Sequence, residues 1–233
     1  MNNDDIEFRA RNLHREIWER RAELWPGKRE LSIVEIVDPV MAARVLGIDF
    51  QLHPELRWFT RPLAPLEETA GILDRKGRRI LIAEKFKFET QRFTAAHEIG
   101  HLLLHEGVKE TLMHRDLPIS GLTRVATSRP WYEREADHFA ACLLMPRKRL
   151  IAVFEYVFST KIPFVFDDAA AFELCPNDPD SLSRPHAESL ARALALASAT
   201  HFRGKHFVPL YQQFRVSVSS MAIRIEELGL IQE

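Results

Sequence analysis

The chain has 233 residues, of which 46% are hydrophobic and 28% are charged, as in ordinary globular proteins. These values exclude a disordered or fibrous chain. Lysine and arginine number 32 against 33 acidic residues, so a net charge of -1 provides no overall attraction to nucleic acid or to an anionic membrane.

The sequence also lacks features of membrane and secreted proteins. No run approaches the roughly 20 apolar residues that span a bilayer, and the first residues are polar and acidic. Cys142 and Cys175 are too few for a disulfide framework. We therefore expect a cytoplasmic protein with free thiols.

The first part of the chain predicts two helices. Apolar side chains recur at helical spacing in residues 4–25, which indicates an amphipathic helix that ends near Pro26. A second helix is expected with Asp38 as its N-cap, Pro39 in its first turn and Gly47 at its end.

Three short strands are predicted next, at residues 48–53, 69–73 and 79–83. The last two flank a turn-forming connection at residues 74–77 and are typical of a hairpin. We expect a small three-stranded antiparallel sheet. If 79–83 borders a cleft, a substrate segment could add to it as a further strand; alternatively, another segment covers that edge.

The rest of the chain is predicted to be mostly helical. Helices are expected from near Thr90 and at residues 131–144, 150–158, 189–199 and 208–228, with a proline-rich loop at 163–185. A small sheet followed by helices predicts an α+β fold, with the sheet packed on the central helix.

The central helix contains an H-E-x-x-H motif, residues 97–101. His97 and His101 are four residues apart, so both imidazoles lie on one face of the helix and can bind one Zn²⁺ ion. Glu98 lies about 100° around the helix, where it can act as the general base. Zinc prefers four ligands and keeps one for water in a catalytic site, so a third protein ligand is required.

The third ligand is expected to be a glutamate from the helix at 131–144. The metzincin spacing would place a glycine at 104 and a third histidine at 107, but the chain has Leu104 and Gly107. We favour Glu133, with Asp137 one turn later holding a ligand histidine by its other ring nitrogen. Glu135 is the alternative. His105 and His138 are weaker candidates for the site, and Tyr132, His138 and Tyr156 for stabilising an oxyanion.

These residues resemble the ImmA/IrrE family of zinc metallopeptidases. The resemblance rests mainly on two segments, RFTAAHEIGHLLLH at 92–105 and EREADHFAACLLMP at 133–146. It implies a gluzincin-like fold, one Zn²⁺ per chain and an endopeptidase. It further implies that the substrate is a helix-turn-helix transcriptional repressor encoded nearby, cleaved to relieve repression in a stress response or in mobile-element control.

We predict four segments along the chain. They are an N-terminal amphipathic helix (1–35), the zinc metallopeptidase domain (36–158), a proline-rich loop and helix (159–206) and a helix-turn-helix-like segment (207–233). In the last of these, Ser217 is expected to cap the second helix. Its near-neutral charge argues against direct DNA binding. The alternative function is a non-catalytic transcriptional regulator or partner-binding protein with a structural or relic zinc site.

Overall fold

The coordinates are a computed structural model that describes residues 1–56, 69–106, 130–184 and 189–232 and the backbone of 112–115. The chain divides into two compact units. Of the described residues, the first unit contains those up to Leu144 and the second those from Met145 onward. The four segments proposed from the sequence stay a prediction.

The first unit contains the H-E-x-x-H motif and its surroundings. Its elements are α1 (Asn3–Glu19), α2 (Arg21–Leu24), α3 (Ile33–Ile36), α4 (Pro39–Val45), β1 (Asp49–His53), β2 (Thr69–Asp74), β3 (Arg79–Ala83), α5 (Phe88–Leu104), β4 (Leu112–Arg115) and α6 (Trp131–Leu144). The predicted α+β class is confirmed. The predicted ends of α4 are also correct, because Asp38 accepts a hydrogen bond from the Val40 amide and Gly47 has φ of 66°.

The sheet differs in detail from the predicted three-stranded antiparallel sheet. Among the described residues, four strands pair in the order β1-β3-β2-β4. The hairpin of β2 and β3 is antiparallel as expected, and β4 pairs with β2 antiparallel. However, β1 pairs with β3 in parallel, with Asp49 opposite Arg79 and His53 opposite Ala83, so the sheet is mixed.

Residues 79–83 are not an edge open to a substrate strand, because β3 has a partner on each side; the alternative, that another segment covers that edge, is correct. Its sequence agrees with a central position: Ile80, Leu81, Ile82 and Ala83 are all buried. A continuous apolar run is typical of a strand covered on both faces. Strand order depends on pairing between distant segments, and the pattern within one strand does not specify it.

Helix α5 is buried between the sheet and α6, and this burial positions the motif. Nine of its residues are buried, including every residue from Thr94 to His101. On one side, a Cβ added to Gly71 of β2 would lie 2.5 Å from the Thr94 methyl group. On the other side, a Cβ added to Gly100 would lie 3.2 Å from the Cα atom of Ala136. Small residues therefore allow both neighbours to approach α5 closely.

The second unit is helical with one small hairpin. Its elements are α7 (Arg147–Phe158), α8 (Asp168–Leu174), α9 (Asp180–Ser183), α10 (Ala191–Ser198), β5 (His201–Phe202), β6 (Lys205–His206), α11 (Leu210–Phe214) and α12 (Val218–Glu227). The loop predicted at 163–185 is therefore wrong in part. Asp167 caps α8 by accepting a hydrogen bond from the Ala170 amide, a local start signal that outweighs the nearby prolines.

The core of the second unit is rich in phenylalanine. Phe154, Phe158, Phe164 and Phe202 are buried, with neighbouring ring centroids 4.8–6.3 Å apart. Ser217 caps α12 as predicted. No helix in the described parts of the chain has the length and apolar content to cross a membrane.

Candidate metal centre

Two helices bring three potential ligands together. His97 and His101 lie one turn apart on α5, and Glu133 lies in the first turn of α6. The Nε2 atom of His97 is 3.2 Å from Oε2 of Glu133, and Nε2 of His101 is 3.4 Å from Oε1 of the same carboxylate. One potential ligand atom from each residue lies within 4.8 Å of the other two.

The chemistry of this donor set fits a zinc ion. Zinc binds imidazole nitrogen and carboxylate oxygen at about 2.0–2.2 Å in tetrahedral geometry, which places neighbouring donors roughly 3.3–3.5 Å apart. The two nitrogen–oxygen separations, 3.2 and 3.4 Å, agree with this value. Both imidazoles are fully buried, and the Glu133 side chain is 15% exposed. The three residues can therefore hold a metal ion on their shared side.

Asp137 lies beside the first of these ligands. Its Oδ1 atom is 2.9 Å from Nδ1 of His97, one helical turn after Glu133 on α6. In the neutral form of His97, a proton on Nδ1 is donated to this carboxylate, and the lone pair of Nε2 is then available to a cation. The contact agrees with the spacing of these residues, and the role of Asp137 beside a metal ligand stays a prediction.

Neighbouring carboxylates raise the pKa of His97, whereas burial lowers the pKa of His101. Burial opposes the charged form of His97, but hydrogen bonds with Asp137 and Glu133 outweigh it and raise the pKa to about 9. Burial lowers the pKa of His101 to about 4 despite its contact with Glu133. A cation binds the neutral form of an imidazole, so protonation of His97 competes with metal binding.

The predicted general base, Glu98, is fully buried on α5. Its carboxylate lies against the sheet, with Oε1 3.1 Å from the position that a Cβ of Gly71 would occupy. Its negative charge contributes to the raised pKa of His97, so the two side chains interact. The absence of a side chain at residue 71 provides the space that this carboxylate occupies.

Glu135, the alternative third ligand, contacts a different residue. Its Oε2 atom lies 3.0 Å from Nε2 of His105, and its other carboxylate oxygen contacts the amino group of Met1. The Nδ1 atom of His105 is in turn 3.0 Å from Nδ1 of His101. The sequence analysis considered Glu135 and His105 as ligands and missed the hydrogen bonds that join them to His101. The four-residue spacing of His101 and His105 was the signal available for the first of these contacts.

The remaining candidates have different surroundings. The ring centroid of Tyr132 is 6.2 Å from that of His101. His138 Nε2 lies 3.6 Å from Sγ of the buried Cys142, and Tyr156 belongs to the second unit with 83% of its surface exposed. The Tyr132 ring therefore lies in contact with a residue of the cluster.

Comparison with known proteins identifies the family. The model of the Peptidase_M78 family, described as the IrrE N-terminal-like domain, matches residues 43–161, about half of the chain. The chain belongs to this family. The resemblance seen in the two central motifs is thereby confirmed. No curated protein matches the chain.

The Peptidase_M78 match supports a metallopeptidase-type function. It includes the whole cluster, since His97, Glu98, His101, Glu133 and Asp137 all lie between residues 43 and 161. Helix α1 and the chain after residue 161 lie outside the match.

Proposed function

We propose that this protein is a zinc-dependent endopeptidase in which His97, His101 and Glu133 hold one zinc ion per chain. The observation that carries the proposal is the convergence of two imidazole nitrogens on one carboxylate, at 3.2 and 3.4 Å. Asp137 orients His97, and Glu98 is the general base.

The chemistry is hydrolysis of a peptide bond. Bound zinc supplies Lewis acidity, which polarises a carbonyl group and makes water more acidic. Glu98 takes a proton from the attacking water as its oxygen bonds to the carbonyl carbon. The same carboxyl group then gives that proton to the amine nitrogen as the C–N bond breaks. Asp137 keeps the His97 ring in one orientation throughout.

The substrate we propose is a helix-turn-helix repressor encoded near this protein, both acting in the cytoplasm. This choice follows from the resemblance to the ImmA/IrrE family, with which the family match agrees. A regulator with a structural zinc site is the alternative. Such sites usually have four protein ligands, often cysteines, and have no need of a neighbouring carboxylate. The described cluster offers two histidines and one glutamate, with Glu98 beside them, and so favours an enzyme.

The test is co-expression with the neighbouring repressor, followed by mass spectrometry of the fragments. We expect one discrete cleavage with the wild type and none with Glu98→Gln, which should still bind zinc. Glu89→Gln makes the same change in the first turn of α5, away from the cluster, and should cleave normally. Cleavage by Glu98→Gln at the wild-type rate would refute the catalytic role of Glu98. Retention of zinc by His97→Ala would refute the assignment of His97 as a ligand.

A further inference from the structure

A series of hydrogen bonds runs from the predicted ligand His101 through His105 to Glu135. His101 Nδ1 is 3.0 Å from His105 Nδ1, and His105 Nε2 is 3.0 Å from Glu135 Oε2. The side chains of His101 and His105 are each 1% exposed, and that of Glu135 is 13% exposed. Histidine and carboxylate groups with so little access to water are expected to be held by specific hydrogen bonds.

The positions of the protons follow from these contacts. If His101 binds a cation through Nε2, its proton is on Nδ1, which then donates to His105. His105 can accept at Nδ1 only in the neutral form with its proton on Nε2. That Nε2–H group then donates to the Glu135 carboxylate. Each donor therefore meets an acceptor, and both imidazole rings are neutral.

We infer that His105 and Glu135 are positioning residues that fix the orientation and tautomer of His101 for metal binding. The inference rests on the proposed zinc site. It gives the two ligand histidines equivalent support from α6: Asp137 contacts His97 directly, and Glu135 acts on His101 through His105. Hydrogen-bonding partners of this kind raise ligand basicity and hold the ring in place.

The main chain holds His105 as well. This residue ends α5, and its carbonyl oxygen accepts a hydrogen bond of 3.0 Å from the Arg75 guanidinium. Its ring also packs edge-on against Trp131, with centroids 5.5 Å apart. A packing role alone would depend on the size of the side chain. A positioning role depends on which polar atom the side chain offers to His101.

Two amide variants distinguish these roles. In His105→Asn an amide oxygen can replace Nδ1 as the acceptor for His101, whereas in His105→Gln the amide lies near the Nε2 position and faces Glu135. Zinc affinity is measured by competition with a chromophoric chelator, and urea unfolding of the zinc-free proteins checks their folding. We expect His105→Gln to bind zinc about 10–100-fold more weakly than the wild type.

His105→Asn should retain most of the wild-type zinc affinity, and Glu135→Gln should lose less than His105→Gln, because an amide oxygen still accepts from His105. Equal affinity of His105→Gln and the wild type would overturn the inference, as would equal losses in the two His105 variants. Absence of zinc binding by the wild type would instead refute the proposed function, and the inference with it.

The tautomer provides an independent readout. Long-range proton–nitrogen NMR spectra of the zinc-loaded protein should show His105 neutral, with its proton on Nε2. A proton on Nδ1, or on both nitrogens, would overturn the inference even if a variant failed to fold. The Glu98→Gln protein, which we expect to bind zinc, is suitable for these spectra because it cannot digest itself.

Discussion

Replacing Gly71 by alanine should disturb the contact between the sheet and the helix that bears the motif. The new Cβ would lie 2.5 Å from Cγ2 of Thr94, 3.1 Å from Oε1 of Glu98 and 3.2 Å from Cδ1 of Ile82. Carbon atoms in contact prefer separations of about 3.5–4.0 Å, so β2 and α5 would have to separate by about 1 Å at this point.

The expected cost follows from these distances. Overpacking a buried site destabilises a protein by about 1–3 kcal/mol. Alanine is better than glycine in a strand by roughly 0.5–1 kcal/mol, which offsets part of the loss. We therefore expect Gly71→Ala to lower the free energy of unfolding by about 1–2 kcal/mol. Turnover should fall further than zinc affinity, because the Glu98 carboxylate is displaced and the three ligands are not.

A double-mutant cycle tests this explanation. Thr94→Ser deletes the methyl group that the new Cβ would meet, and by itself should cost about 1 kcal/mol. In combination the two changes should be less destabilising than their sum, with a coupling energy of about 0.5–3 kcal/mol. The assay is urea unfolding of the zinc-free protein followed by tryptophan fluorescence, since Trp18, Trp25 and Trp131 lie in the first unit. Simple additivity, or no loss in Gly71→Ala, would refute the reasoning.

Two further predictions concern groups around the same helices. Arg75 donates hydrogen bonds to the His101 and His105 carbonyls at the end of α5. Arg75→Met should therefore lower the free energy of unfolding in urea by about 1.5–3 kcal/mol. An unchanged unfolding midpoint would contradict this. Burial lowers the pKa of His14 below 6.5 despite its hydrogen bond to the Leu143 carbonyl. The contribution of His14 to stability is therefore present above pH 6.5 and decreases as the pH falls below 6.5. His14→Gln can keep this bond without titrating, and its stability should fall less than that of the wild type between pH 7.5 and 5.5; parallel curves would contradict the prediction.

Local sequence patterns were sufficient for the features that depend on neighbouring residues. The cap at Asp38, the turn between β2 and β3 and the helical periodicity of α5 follow from short segments, and the structure has each of them. The strand order and the parallel pairing of β1 with β3 join distant segments, and no local pattern specified them. The prolines of residues 163–185 predicted a loop, but the structure has α8 and α9 there, and Asp167 caps the first of them.

In the candidate site, too, some features follow from local sequence and others only from tertiary packing. The spacing of His97 and His101 by itself determined that both imidazoles lie on one face of a helix, because every α-helix has 3.6 residues per turn. Whether Glu133 or Glu135 meets them depends on the rotation and depth of α6 against α5. The close approach at Gly100 and Ala136 sets that rotation, and only the tertiary structure brings Glu133 to the imidazoles and Glu135 to His105.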